Sequence, residues 1–117
     1  MWEVEYTDEF GEWWESLTQQ ERNAISEGVK LLMEKGPTLP FPYSSNIQRS
    51  RHGAMRELRS QCQGRPLRTL YAFDPRRVAI LLIGGDKTGD DRFYDIYVPL
   101  ADTIYDRYLE ELGSEKT

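Results

Sequence analysis

Residues 55–83 read MRELRSQCQGRPLRTLYAFDPRRVAILLI, three strand-like segments separated by two turn signals. The first segment, MRELRS, is bounded by Gly53 and Gly64, and the second, PLRTLYAF, alternates in the two-residue period of a strand. The third, VAILLI, is apolar on both faces, which predicts a central position in the sheet. Because DPRR is short enough for a hairpin turn, the segment predicts consecutive antiparallel strands.

Upstream of this segment, the sequence predicts one strand and two helices. WEVEY, at residues 2–6, alternates apolar and acidic residues like a half-buried strand. Residues 7–17 follow with apolar residues at helical spacing and a possible cap at Thr7 or Asp8. Thr18 and Glu21 then have the spacing of a capping box, and the second helix is predicted to end at Gly36.

Residues 36–50 contain three prolines and no periodicity, which predicts a long loop that is mobile or borders a functional site. After the last strand, residues 90–112 show a helical apolar pattern in which Pro99 marks either a kink or the first turn of a new helix. The predicted order is β-α-α-β-β-β-α. We therefore expect an α+β fold, with residues 1–117 forming a single domain and helices packing on a small, mostly antiparallel sheet.

Composition excludes several classes of function. With one cysteine and one histidine, the chain cannot form an internal disulfide or a zinc cluster, and we expect neither a metal nor a cofactor. The acidic N-terminus lacks the pattern of a signal peptide, and no apolar run approaches the roughly 18 residues of a membrane span. These features predict a cytoplasmic protein that does not associate with membranes.

Charge is strongly segregated along the chain. Eight of the eleven arginines fall in residues 49–77, which carry a formal charge of +6, whereas residues 1–48 carry −6 and residues 78–117 carry −5. One interpretation is a basic groove for a polyanion on an acidic body. The other is that these arginines pair with the protein's own acids.

Three strand arginines are candidates for one basic surface. Arg56 shares a predicted strand face with Leu58, whereas Arg59 lies on the opposite face with Met55 and Glu57. Arg68 lies on the next predicted strand. We expect all three guanidinium groups to project into or beside one concave surface of the sheet, where they could hold phosphate. Arg49 and Arg51, in the preceding loop, are expected to hold the backbone of such a polyanion.

Two further residues are candidates for acid–base chemistry. His52 is the only side chain whose ordinary pKa lies near neutrality, although a single loop histidine is usually inert. Lys87 follows the last strand in GGDKTG, a segment that lacks the spacing of a phosphate-binding P-loop and is otherwise an ordinary loop. Cys62 has no partner spacing that suggests a nucleophile.

The segments that contain the candidate site residues resemble those of a known protein family. Four segments resemble the RelE/HigB-like toxins of type II toxin–antitoxin systems, and most closely their phage-derived HigB-like branch. These segments are Arg56-Glu57-Leu58-Arg59, residues 68–74, residues 80–89 and the C-terminal FYDIYVPLADTIYDRYLEEL. The predicted order of elements is also that of this family, so the resemblance covers nearly the whole chain.

The resemblance implies a cytoplasmic toxin that cuts mRNA, often on the ribosome, and is silenced by a cognate antitoxin, for which we expect a helix-turn-helix protein. It assigns the family's sheet arginines to Arg59 and Arg68, and the residue after the last strand to Lys87. Arg56 stands where many relatives have an aromatic residue. The chain departs from the best-known branch because it is acidic and lacks the lysine pair of the first hairpin strand.

The implied chemistry is attack of an RNA 2′-OH on the adjacent phosphate. Arg59 and Arg68 could stabilise the charge that develops, with His52 or Lys87 as the general base. The sequence also leaves open a non-cleaving toxin of the same fold, like the gyrase-directed ParE branch, and a phage-derived interaction module whose catalytic set has decayed. Acidic residues of the last helix could shield the basic surface in the free protein.

Overall fold

The computed structural model describes residues 1–115, which form one five-stranded sheet with helices on both faces. The strands lie in the order β1-β5-β4-β3-β2, and only the pairing of β1 with β5 is parallel. The prediction of an α+β fold with a mostly antiparallel sheet is therefore confirmed. The elements are β1 (Val4–Tyr6), α1 (Asp8–Glu15), α2 (Gln19–Lys35), a short 3₁₀ helix (Gly36–Thr38), β2 (Ser44–Asn46), β3 (Arg56–Cys62), β4 (Arg65–Phe73), β5 (Ala79–Asp86) and α3 (Phe93–Glu115).

Helices α1 and α2 cover one face of the sheet, here called the α2 face, and α3 covers the other, the α3 face. Alternation along β4 supplies both cores: Leu67 and Tyr71 pack on the α2 face, and Leu70 and Ala72 pack on the α3 face. Each face thus buries its own apolar cluster. The two-residue period decides which side chains can meet at a site.

Two adjacent glycines near the end of β5 let aromatic side chains approach the sheet from both sides. A Cβ atom at Gly84 would overlap the indole of Trp13 on α1, and one at Gly85 would come within 2.8–2.9 Å of Tyr97 and Phe93 on α3. Contacts this close exclude any larger residue without movement of the rings. The sequence interpretation of GGDKTG as a loop is therefore wrong for both glycines, which belong to β5.

The helix starts agree with the sequence. Thr7 caps α1 by accepting the N–H of Phe10, and the capping box of Thr18 and Glu21 is present at α2. The Thr18 N–H, which donates to the Glu21 carboxylate at 2.8 Å, holds the pKa of Glu21 below its ordinary value, and Arg65 adds to this effect.

Three predictions about order and position need correction. Residues 36–50 are not a structureless loop, since they contain the 3₁₀ helix and β2, which pairs with β3. The β5 strand, predicted to be central, lies inside the sheet, but β4 occupies the centre. Pro99 lies inside a single α3, which begins at Phe93.

None of the helices among residues 1–115 combines the length and apolar character needed to cross a bilayer.

Candidate functional site

Arg59 and Arg68 meet on the α3 face of the sheet. They are direct partners in the β3–β4 register, an arrangement in which like charges normally repel. Glu57, two residues before Arg59 and on the same face, lies between them: its carboxylate is 3.6 Å from the Arg59 guanidinium and 3.7 Å from Arg68 Nε. This carboxylate compensates the two arginines, which explains how they can share one patch of sheet.

Glu57 is the centre of a polar cluster that also includes α3. Its side chain is buried, at 4% exposure, and accepts hydrogen bonds from the Tyr94 hydroxyl and from Ser45 Oγ, both at 2.6 Å. Lys87 lies on the other side of Tyr94, with its ammonium 5.2 Å from the ring centroid. We call Glu57, Arg59, Arg68, Lys87 and Tyr94 the Glu57 cluster.

The environment keeps Tyr94 protonated at neutral pH. Burial is the largest cause that raises the pKa of its hydroxyl, the bond to Glu57 raises it further, and Arg68 acts in the opposite direction. Tyr94 is therefore a hydroxyl that donates to a carboxylate while retaining oxygen lone pairs for another partner.

Arg68 is the buried member of the cluster. The residue is 5% exposed and donates from one terminal nitrogen to the Leu67 carbonyl at 3.1 Å, whereas its Nε has no hydrogen-bond partner among residues 1–115. The expectation that Arg68 lies on an open basic surface is wrong, because α3 covers β4 at this point. Its charge instead acts on Glu57 and Tyr94.

Arg59 and Lys87 form the accessible side of the cluster. Both residues are half-buried, and the Arg59 guanidinium lies over the ring of Phe41, 4.9 Å from its centroid. A cleft of about 280 Å³ next to Glu57 and Tyr94 is also lined by Val98 and residues 46–49. Residues 36–50 therefore border the site, as one of the two alternatives predicted.

Arg56 does not belong to this surface. It projects from the α2 face, where its Nε donates to Ser44 Oγ at 2.8 Å and a terminal nitrogen donates to the Asn46 side chain. Ser44 is also hydrogen-bonded to the hydroxyl of buried Tyr71, at 2.7 Å. The prediction that Arg56 joins Arg59 and Arg68 is wrong, because neighbouring positions of a strand alternate between faces. Arg56 instead attaches β2 to the sheet.

The loop before β3 is held against acidic residues of α3. Arg49 pairs with Asp95, and Arg51 pairs with Asp106. His52 is hydrogen-bonded through Nε2 to the same Asp106 carboxylate at 2.7 Å. These contacts agree with the expectation that acids of the last helix shield basic residues, although the shielded arginines are those of the loop.

His52 lies far from the Glu57 cluster. Asp106, its partner, is twelve residues beyond Tyr94 on α3, which corresponds to about 18 Å along the helix axis. The structure therefore places His52, one of the two candidates for the general base, away from Arg59 and Arg68. His52 lies in a loop, and a loop has no repeating sequence pattern from which the position of a side chain could be predicted.

The interpretation that the arginines pair with the protein's own acids is correct for much of the block. Besides Arg49 and Arg51, Arg65 pairs with Glu21 and Asp86, and Arg76 pairs with Glu5 and Asp74. Much of the positive charge is thus paired with the protein's own acids. What distinguishes the Glu57 cluster is that one carboxylate is shared between two arginines, with Lys87 nearby.

Sequence reasoning missed Glu57 and Tyr94 as site residues. Alternation along β3 placed Glu57 on the same strand face as Arg59, but it gave Glu57 no role in a site. Tyr94 lies in the first turn of α3, among apolar residues at helical spacing. That pattern does not indicate that the Tyr94 hydroxyl contacts the Glu57 carboxylate on the sheet.

Known proteins resemble the chain over most of its length. A family model described as phage-derived protein Gp49-like matches residues 12–106. The chain belongs to this family. It is 39% identical over 98 residues to "Putative toxin HigB3" of Mycobacterium tuberculosis H37Rv, an alignment that covers 83% of this chain and 84% of the relative. The resemblance to HigB-like proteins is therefore confirmed.

A second relative from the same organism, "Putative toxin HigB2", is 35% identical over 106 residues. This alignment covers 89% of the Gp49-like chain but 53% of HigB2, so the chain spans about half the length of that relative.

Proposed function

We propose that this Gp49-like protein is the toxin of a toxin–antitoxin module and that it cleaves mRNA at the Glu57 cluster. The observation that carries the proposal is the hydrogen bond from Tyr94 to the buried Glu57 carboxylate, with Arg59 and Lys87 accessible beside it. This set supplies a proton relay and two cations in one place. The names of the two relatives, which describe each as a toxin, support the biological role.

In the proposed reaction, the 2′-oxygen of RNA attacks the adjacent phosphorus. Its proton passes to the Tyr94 oxygen while the Tyr94 proton passes to Glu57 Oε1. The bond from phosphorus to the 5′-oxygen breaks, and that oxygen takes a proton from the Lys87 ammonium. The products are a 2′,3′-cyclic phosphate and a 5′-hydroxyl, and passage of the proton from Glu57 through Tyr94 to the neutral Lys87 amine restores the resting site.

Arg59 stabilises the charge that develops on the phosphate oxygens, because a guanidinium can donate two parallel hydrogen bonds to them. Arg68 is buried and acts as a positioning residue, since its Nε lies 3.7 Å from Glu57 Oε1 and its charge attracts that carboxylate. The sequence predicted a catalytic role for Arg68; we propose instead that Arg68 acts indirectly, through Glu57.

Arg49 and Arg51 hold the RNA backbone outside the reaction centre. Both side chains are largely exposed, at 69% and 60%, and their ion pairs with α3 are of the weak, solvent-screened kind that a phosphate can replace. Their contribution is expected to be sensitive to salt, because each phosphate contact releases counterions.

The proposed partners are an mRNA, presented on the ribosome, and a cognate antitoxin in the cytoplasm. A helix-turn-helix antitoxin would neutralise the site by placing acidic and apolar residues over Arg59 and Lys87. Two large apolar side chains of α3, Ile96 and Leu100, are 53% and 41% exposed one turn apart and provide the apolar part of such a contact.

The proposal is tested by cleavage of short RNA by purified protein, with and without ribosomes. We expect Arg59→Ala to lower the single-turnover rate by about 10²–10³, the usual effect of removing one transition-state donor. Lys87→Ala should also be slow, whereas His52→Ala should cleave like the wild type. A wild-type protein that binds ribosomes or RNA without cutting would favour the non-cleaving toxin.

A further inference from the structure

Phe41 is an exposed aromatic residue beside the cationic side of the Glu57 cluster. The residue is 67% exposed, and its ring lies against the Arg59 guanidinium, 4.9 Å from the ring centroid to the guanidinium carbon. Tyr43, two residues later, is 48% exposed. Single exposed apolar residues are ordinary, but the Phe41 ring contacts a guanidinium of a site proposed to receive RNA.

The backbone fixes Phe41 relative to the site. The Tyr43 N–H donates to the Pro40 carbonyl at 3.0 Å, which closes a tight turn with Phe41 inside it. The Tyr43 carbonyl in turn accepts the Arg59 N–H at 2.9 Å, so this turn is attached directly to β3. Phe41 therefore follows the position of Arg59, and its ring is held beside the guanidinium that is proposed to contact the phosphate.

We propose that Phe41 is the stacking platform for one unpaired nucleobase of the RNA, the base next to the phosphate held by Arg59. This inference rests on the proposed function. Unpaired bases bind proteins by stacking on aromatic rings and on arginine planes. A base on the solvent side of Phe41 would extend the existing contact into a stack of base, ring and guanidinium. Because every base has a π-face, Phe41 would accept any of the four bases and would hold that base in one position.

The chain offers a matched control for this proposal. Tyr6 is 68% exposed, as Phe41 is, but it lies in β1, at the opposite edge of the sheet from β2. Phe41→Ala and Tyr6→Ala thus remove equally exposed aromatic rings from the two ends of the molecule. Phe41→Leu keeps apolar bulk at the site and removes only the flat ring.

The experiment measures binding of a short single-stranded RNA that carries the fluorescent base 2-aminopurine, with circular dichroism to verify the fold. We expect Phe41→Ala and Phe41→Leu to weaken binding roughly 5- to 150-fold, the effect of losing one stacked base, and Phe41→Trp to retain it. Binding to the wild type should quench the fluorescence at one position of the RNA, and Phe41→Ala should abolish that quenching. Tyr6→Ala should bind like the wild type.

The two proposals fail in different arms of this experiment. If the wild type binds RNA and Phe41→Ala or Phe41→Leu binds equally well, or if quenching survives in Phe41→Ala, the stacking proposal is overturned and the proposed function stands. A loss with Tyr6→Ala as large as that with Phe41→Ala also overturns it. If the wild type neither binds nor cuts RNA, free or on ribosomes, both proposals are overturned.

Discussion

Replacing Glu57 with glutamine removes one negative charge from the centre of the site and changes almost nothing in shape. The carboxylate is buried and accepts two hydrogen bonds of 2.6 Å, from Tyr94 and Ser45. Glutamine retains an oxygen acceptor for one of them, but its NH₂ group faces the other donor. The Arg68 charge, buried at 5% exposure, also loses the anion that compensates it.

These losses indicate a large effect on stability. Removing one partner of a buried charge pair typically costs about 3–5 kcal/mol, and the remaining acceptor reduces this, so we expect Glu57→Gln to lower the free energy of unfolding by about 3 kcal/mol. Urea unfolding of a small protein has a slope of about 1–3 kcal/mol per molar, so the midpoint should fall by about 1–3 M. Glu110→Gln, the same substitution at an exposed position of α3, should change the free energy of unfolding by less than about 0.5 kcal/mol.

A double-mutant cycle assigns this loss to the pair. Arg68→Met removes the buried charge while keeping a long apolar side chain. If Glu57 compensates Arg68, the double variant should lose at least about 1 kcal/mol less than the sum of the two single losses. The reasoning is refuted if the losses simply add, or if Glu57→Gln unfolds at the same urea concentration as the wild type.

Three further predictions concern other parts of the chain. Gly84→Ala should destabilise the protein by about 3 kcal/mol in urea unfolding, because a Cβ there overlaps an indole ring, whereas Gly53→Ala, with open space around it, should be nearly neutral. Asp95→Asn should tighten RNA binding about two- to fivefold by freeing the loop arginine it pairs with, and Glu110→Gln should not. Glu21 has a lowered pKa when folded, so its stabilising effect is present above its ordinary pKa of 4.5 and lost as the pH falls through the folded value; the destabilisation caused by Glu21→Gln should therefore shrink between pH 7 and pH 3.

Much of this fold could be predicted because its signals are local. Alternation along β4, the apolar run of β5 and the capping box at Thr18 each depend on residues a few positions apart, and the structure has each of them. The strand β2 was missed because only three residues form it and its pairing with β3 is not visible in its own composition. The same two-residue period puts Arg56 and Arg59, three positions apart, on opposite faces of β3.

The candidate site was predictable only in part, because it depends on which elements lie together. The register pairing of Arg59 with Arg68 follows from a hairpin, and a short loop makes that hairpin the expected arrangement. The contact of Tyr94 with Glu57 joins residues 37 positions apart and requires the path of α3 across the sheet. The burial of Arg68 and the distance of His52 follow from that same path.

The most direct test of the central claim is the single-turnover cleavage rate of Tyr94→Phe compared with that of the wild type. This substitution removes one hydroxyl and leaves the ring beside Lys87, so RNA affinity should stay within about twofold. If the Tyr94–Glu57 relay takes up the 2′-hydroxyl proton, the rate should fall by about 10²–10⁴, the contribution of a positioned acid or base. A Tyr94→Phe protein that cuts RNA at the wild-type rate would contradict the account.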